Sequence, residues 1–147
     1  MTTTGTRVLA QGTFDLLHPG HLHYLREAAT HGDELHVVIG RHAGAESEKQ
    51  PLLPAHQRRD VVAALDVVDD AHLGHPTDIY APLEDIDPDV VAIGHDQPFD
   101  VAGLEASLAD HGFDASVVRI SALEDPTDER ELHATSAIVE RVLDERA

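Results

Sequence analysis

The sequence predicts an α/β fold: one domain built on a five-stranded parallel sheet with helices on both faces. Short apolar runs recur along the chain without polar alternation, the pattern of strands covered on both sides. Stretches at helical spacing fall between them, as in chains that alternate strand and helix. No Pro/Gly/Ser-rich segment divides the 147 residues, which is chain enough for one core.

The first strand is residues 7–11, where Val8, Leu9 and Ala10 lie between Gly5 and Gly12. Residues 21–31 carry Leu22, Leu25, Ala28 and Ala29 at helical spacing, so a helix should open at or just after Gly20. Residues 34–40 give the second strand. Residues 52–65 read as a helix with Pro54 in its first turn and Val61, Val62 and Leu65 as its buried stripe. A shorter strand signal follows at 67–73 and a stronger one at 89–94. An amphipathic helix at 101–111 and a fifth strand at 115–120 come next, then a polar, acidic loop from Ser121 to His133. The last helix begins within 133–139, with Thr135 or Ser136 as N-cap and Ile138, Val139 and Val142 facing inward.

Composition narrows the function. A net charge of −18 repels nucleic acid and anionic membrane, so neither is expected as a partner. No apolar run approaches the roughly 20 residues of a membrane span, and Met1 to Thr4 lacks the regions of a signal peptide, which predicts a cytoplasmic protein. Cysteine is absent, excluding disulfides and thiolate chemistry. Apolar periodicity and a 41% hydrophobic content argue for a folded chain. The acidity reads as adaptation to a high-salt cytoplasm, where screening tames self-repulsion. Of the 10 basic Lys and Arg residues, one is a lysine, Lys49. It lies in the polar segment after the second strand, where a flexible ammonium could fold over a bound anion.

Chemistry concentrates in Gly12-Thr13-Phe14-Asp15-Leu16-Leu17-His18-Pro19-Gly20-His21, which joins the first strand to the first helix. Free N–H groups and the helix dipole at that opening favour phosphate. Gly12 and Gly20 let the backbone approach a ligand. His18 and His21, three apart across the turn, can face one ligand and donate to its phosphate oxygens. No protein metal site is expected from His18, His21 and His23, which lack cysteine or a carboxylate pair at ligand spacing. Downstream, Gly94-His95-Asp96-Gln97 ends the fourth strand. Ligands bind open α/β sheets where the strand order reverses, so the first and fourth strands should meet there and bring Asp96 near His18. A carboxylate in that place can accept from a ribose hydroxyl or an amine, or approach Mg²⁺.

The decapeptide resembles the HxGH signature of the nucleotidylyltransferase superfamily, whose cytidylyltransferase-like members hold a nucleoside triphosphate on a small Rossmann-like domain. The resemblance implies strand order 3-2-1-4-5 and one domain over residues 1–147. It implies nucleotide contacts at Thr13, Phe14, His18, Pro19, Gly20, His21, Asp96, Thr135 and Ser136, and phosphate contacts at Lys49 and Arg58. Catalysis would rest on His18, His21 and Lys49; Arg59 is left undecided. Thr135 and Ser136 stand at the family's second signature, where hydroxyls and amides grip the triphosphate. Ala134 replaces its first serine, and the arginine that precedes this motif in glycerol-phosphate cytidylyltransferases has no equivalent in register, Arg130 being one place off and Arg119 far upstream.

Within the superfamily, Leu53-Pro54-Ala55-His56-Gln57-Arg58-Arg59, the run to Leu73-Gly74, Pro88-Asp89-Val90 and Gly94-His95-Asp96-Gln97 look most like archaeal-type FAD synthase. That resemblance implies transfer of AMP from ATP to FMN with release of pyrophosphate, and Mg²⁺ or another divalent cation with the ATP. Two alternatives stay open: a CTP-dependent cytidylyltransferase acting on a phosphorylated alcohol such as glycerol 3-phosphate, and a non-catalytic nucleotide-binding module. Dimers are common in the resembled families, and the helix after the first motif is the contact this implies for a homodimer.

Overall fold

The computed structural model describes residues 5–41, 50–123, 132 and 134–146. Its chain order is β1 (Arg7–Gly12), α1 (Pro19–Ala29), β2 (Glu34–Ile39), α2 (Ala55–Ala63), β3 (Asp70–Leu73), α3 (Ala81–Ile86), β4 (Val90–Ile93), α4 (Val101–Asp110), β5 (Ser116–Arg119) and α5 (Thr135–Arg146). The strands form one parallel sheet in the order β3-β2-β1-β4-β5, as the sequence implied. The order in which strands are added thus switches from one side of β1 to the other between β3 and β4, and a crevice opens at the carboxyl ends of β1 and β4.

Alternate residues of the central strands feed two cores. Val8, Ala10, Leu35, Val37 and Ile39 pack with Leu25 and Ala28 of α1 and Val62 of α2. Leu9, Val38, Val91 and Ile93 pack with Leu83 and Ile86 of α3 and Leu108 of α4. Burying each Val, Leu or Ile among them contributes about 1.5–3 kcal/mol. That both faces are covered explains the unbroken apolar runs.

Several boundaries differ from expectation, each for a local reason. Helix α1 opens at Pro19 rather than after Gly20, because His18 is extended (φ −148°, ψ 172°) and its Nδ1 accepts the Gly20 N–H as an N-cap. Helix α2 is shorter than residues 52–65. The Asp15 carboxylate holds the Leu52 and Leu53 N–H groups outside it at 2.8 and 3.0 Å, and Pro54 is the extended N-cap rather than a first-turn residue. Its expected stripe is also changed: Val61 is 47% exposed, while Arg58 is 2% exposed and turns inward with Val62. The third strand starts at Asp70, after Val68 is buried by a turn closing on Leu65. Helix α3, a single short turn-and-a-half, was not expected. It ends on Asp87 in the left-handed region (φ 50°).

In α5, the Ala137 and Ile138 N–H groups donate to the Ala134 carbonyl. Ala134 therefore occupies the capping position, and Thr135 and Ser136 are the first helical residues instead of the cap. Val142 does not face inward but is 51% exposed, and Ile138 and Val139 are only half-buried. His133 and Lys49 lie outside the described residues.

Candidate active site

The first signature turns sharply at Phe14, whose φ of 51° places a non-glycine residue in the left-handed region. Its buried ring lies against Gly12, where a Cβ would come within 2.9 Å of it, so glycine is required there. Phe14 thus serves as a floor, with its ring centroid 5.3 Å from that of His21 and 6.3 Å from that of Tyr24. Above it, the His18 and His21 imidazoles stack with centroids 3.8 Å apart. The Gly20 N–H donates to His18 Nδ1 at 3.1 Å, which puts the proton of the neutral ring on Nε2.

His21 is held neutral. Burial first, then the charge of His18, pull its pKa from 6.5 to about 4, and Asp15 opposes them. Its Nδ1 is buried with no hydrogen-bond partner among the described residues. A buried polar atom without a partner costs about 1–3 kcal/mol.

The opposite lip is the Gly94–Gln97 turn after β4. Gln97 Oε1 accepts the Gly94 N–H at 2.8 Å, and Arg119 of β5 donates to the carbonyls of Gly94, Gln97 and Phe99. This turn presents Asp96, exposed, to the crevice. Between the lips stands Tyr24 of α1. Its hydroxyl donates to the Ala92 carbonyl at 2.5 Å and accepts the Gln11 N–H at 3.2 Å, and burial raises its pKa. His23 Nε2 meets the Ser121 carbonyl at 3.0 Å, tying α1 to the segment after β5.

Arg58 is a correction to the sequence reading. Its Nε donates to Leu53 O, one terminal nitrogen to Thr13 O and Gly40 O at 2.7 Å each, and the other to Arg41 O. Wrapped in carbonyls and buried, it knits the ends of β1 and β2 to α2 and is not placed to touch phosphate. Burial lowers its pKa, and Asp15 works against that shift.

These elements enclose a cleft of about 1200 Å³ that brings together Thr13, Phe14, His18, Gly20, His21 and Asp96 with Thr135 and Ser136 of α5. Pro19 opens α1 beside them. Asp15, Tyr24, Gln97 and Arg119 were missed by sequence reasoning. Asp15 sits inside the signature and was the one most open to discovery; the others act through backbone partners far away in sequence.

A parallel sheet reversing at β1 and β4, with two histidines at the helix start there, defines a nucleotide-binding α/β protein of the transferase kind. A family model, Cytidylyltransferase-like, matches residues 9–141. The chain belongs to that family and stands among its archaeal-type FAD synthases. It is 56% identical to an FAD synthase of Halobacterium salinarum over 96% of each chain. It is 53% identical to one of Halorubrum lacusprofundi, covering 96% of this chain and 92% of that one. Among solved structures, a lipopolysaccharide core biosynthesis protein from Thermoplasma volcanium superposes with TM-score 0.77 and 40% identity, over 82% of this chain and 99% of that one. A pantothenate synthetase from Thermus thermophilus (TM-score 0.60, 12% identity, over 82% of this chain and 57% of that one) shares the fold alone. No helix among the described residues is long and apolar enough to cross a membrane.

Proposed function

We propose that the chain is an FAD synthase that transfers the adenylyl group of ATP to the phosphate of FMN, releasing pyrophosphate. The observation that carries this is the His18/His21 pair at the start of α1 in a chain so close to proteins named FAD synthase. The cleft, about 1200 Å³, exceeds the roughly 300–1,000 Å³ of an ordinary small-molecule site, in keeping with two substrates.

An FMN phosphate oxygen attacks the α-phosphorus as the bond to the β-phosphate bridging oxygen breaks. The FMN phosphate is already ionised, so the site has to align it rather than deprotonate it. His18 and His21, with the positive end of the α1 dipole, stabilise charge growing on the α-phosphoryl oxygens and the α,β bridge; the first N–H groups of α1 are themselves taken by the His18 ring and carbonyl. The amides and hydroxyls of Thr135 and Ser136 hold the departing pyrophosphate, joined by Lys49. Thr13, Phe14, Pro19 and Gly20 line the nucleotide. Asp96 takes a ribose hydroxyl.

A divalent cation fits this oxygen-rich site: Asp15 is committed to backbone N–H groups, whereas Asp96 is exposed at the lip. Mg²⁺ would be held by the substrate phosphates, neutralising their charge, and Asp96 is left to the ribose. The strong negative charge opposes ATP and FMN at long range, and salt screens it, so activity should rise with salt; a low-salt optimum would overturn the adaptation to a saline cytoplasm.

The test is product formation with Mg²⁺ in high salt, offering ATP plus FMN or CTP plus glycerol 3-phosphate. FAD and pyrophosphate are expected in the first mixture and nothing in the second. A product only in the second would move the chain to the cytidylyltransferases.

A further inference from the structure

Away from the cleft, β2 and β3 carry a second cluster of histidines. His36 and Asp70 are register partners, as are Val38 and His72, so all four residues face the side of the sheet that packs on α3 and α4. One ligand-type atom from each of His36, Asp70 and His72 lies within 4.8 Å of the others. His36 Nδ1 is 3.4 Å from His72 Nε2, and His72 Nε2 is 3.4 Å from an Asp70 carboxylate oxygen.

These separations are long for hydrogen bonds, which run about 2.7–3.2 Å. They match instead the edge of a tetrahedron, about 3.3 Å for the 2.0–2.1 Å bonds of a metal to imidazole and carboxylate. The proton placement agrees. His36 Nε2 donates to Glu34 Oε1 at 3.0 Å, which leaves Nδ1 with its lone pair turned to His72. A carboxylate behind a histidine is the arrangement that fixes and strengthens metal-ligating imidazoles. Asp70 is likewise oriented, its other oxygen accepting the Ala71 N–H at 2.9 Å. Arg7 balances Glu34 from its far side at 3.9 Å. His36 is largely shielded while His72 lines an open groove after β3, giving a protected ligand and a path of entry.

We propose that His36 Nδ1, His72 Nε2 and the Asp70 carboxylate bind a divalent transition metal of the zinc class, with Glu34 orienting His36 and solvent in the fourth position. Two imidazoles and one carboxylate suit zinc over Mg²⁺ or Ca²⁺, which prefer all-oxygen sites. The ion would staple the edge strand β3 to β2.

The whole chain, stripped with chelator and held in molar KCl with excess MgCl₂ to occupy surface carboxylates, would be titrated with ZnCl₂ by calorimetry and with CoCl₂ by visible absorption. One equivalent of Zn²⁺, the intense bands of tetrahedral Co²⁺ and a rise in melting temperature are expected. His72→Ala should lose all three, and Glu34→Gln should weaken binding about 10–100-fold. His75→Ala, in the same groove, and His18→Ala/His21→Ala, in the cleft, should keep them. If His72→Ala does not fold by circular dichroism, Asp70→Asn, at an exposed residue, reads the same loss. The absence of a stoichiometric zinc, or its survival in His72→Ala or Asp70→Asn, would overturn the site.

Discussion

Opposite sides of the cleft differ in how much core stands behind them. The His18/His21 corner rests on Phe14, on Leu25 and Ala28 of α1, and on buried β1, with Arg58 and Asp15 fixing the turns around it. Helix α5, across the cleft, buries none of its residues fully and leaves Val142 and Leu143 more than half exposed. Thr135 reaches toward the Leu16 carbonyl at 3.4 Å. The groups proposed to meet a developing charge are preorganised by packing, whereas the wall proposed to hold the leaving group is fastened lightly.

The largest effect should separate the walls through chemistry. His18→Ala or His21→Ala is expected to lower turnover about 10²–10³-fold with the fold retained, the scale of losing one transition-state donor. Turnover within a few-fold of the parent in either variant would remove the corner from the chemistry.

Arg58→Ala tests the support rather than the site. Leaving several buried carbonyls unpaired should cost about 3 kcal/mol and lower Tm by about 6–12 °C. Arg58→Met should fall nearly as far, since shape without donors does not satisfy those carbonyls. A raised KM for ATP at unchanged Tm would instead restore Arg58 as a phosphate contact.

A pH series sharpens the same corner. Because the folded pKa of His21, about 4, lies below its unfolded 6.5, the unfolded chain takes up the proton first. Its contribution to stability is intact above about pH 6.5 and is lost as pH falls toward 4. Urea unfolding of His21→Gln should show a shallower decline across that window; an identical decline would assign the acid limb to other groups.

The smallest effect is expected on the lighter wall. Val142→Ser or Leu143→Ser should change stability by no more than about 0.5 kcal/mol. A loss of several kcal/mol would mean that α5 carries core after all.

The parts of the fold legible in sequence are those whose causes are local or repetitive. Strands buried on both faces write themselves as apolar runs, and ten consecutive residues spell out the corner from Gly12 to His21. Arg58 was misread because its role is set by carbonyls of Thr13, Gly40, Arg41 and Leu53, which the turns bring together only in three dimensions. Nothing in the run 52–65 distinguishes an inward arginine from a solvated one, and the same inward turn left Val61 outside. Helix α3 escaped because its apolar pattern is too short to show a period. The His36/His72 pair was hidden for a plainer reason: its members sit on strands joined by a whole helix.

The Tyr24 hydroxyl has a consequence for how the crevice can move. The β1–β4 ladder ends at the Ala10–Ala92 pair, and the next donor and acceptor, Gln11 N–H and Ala92 C=O, are both taken by that one phenol. It acts as a spacer: a single hydroxyl oxygen, 3.2 Å from one strand's nitrogen and 2.5 Å from the other's oxygen, stands where a direct ladder bond would otherwise form. The separation of the strands at the mouth is therefore set by a side chain of α1, the same helix whose first turn carries His21. One rigid helix thus carries both the catalytic candidate His21 and the bridge between the strands.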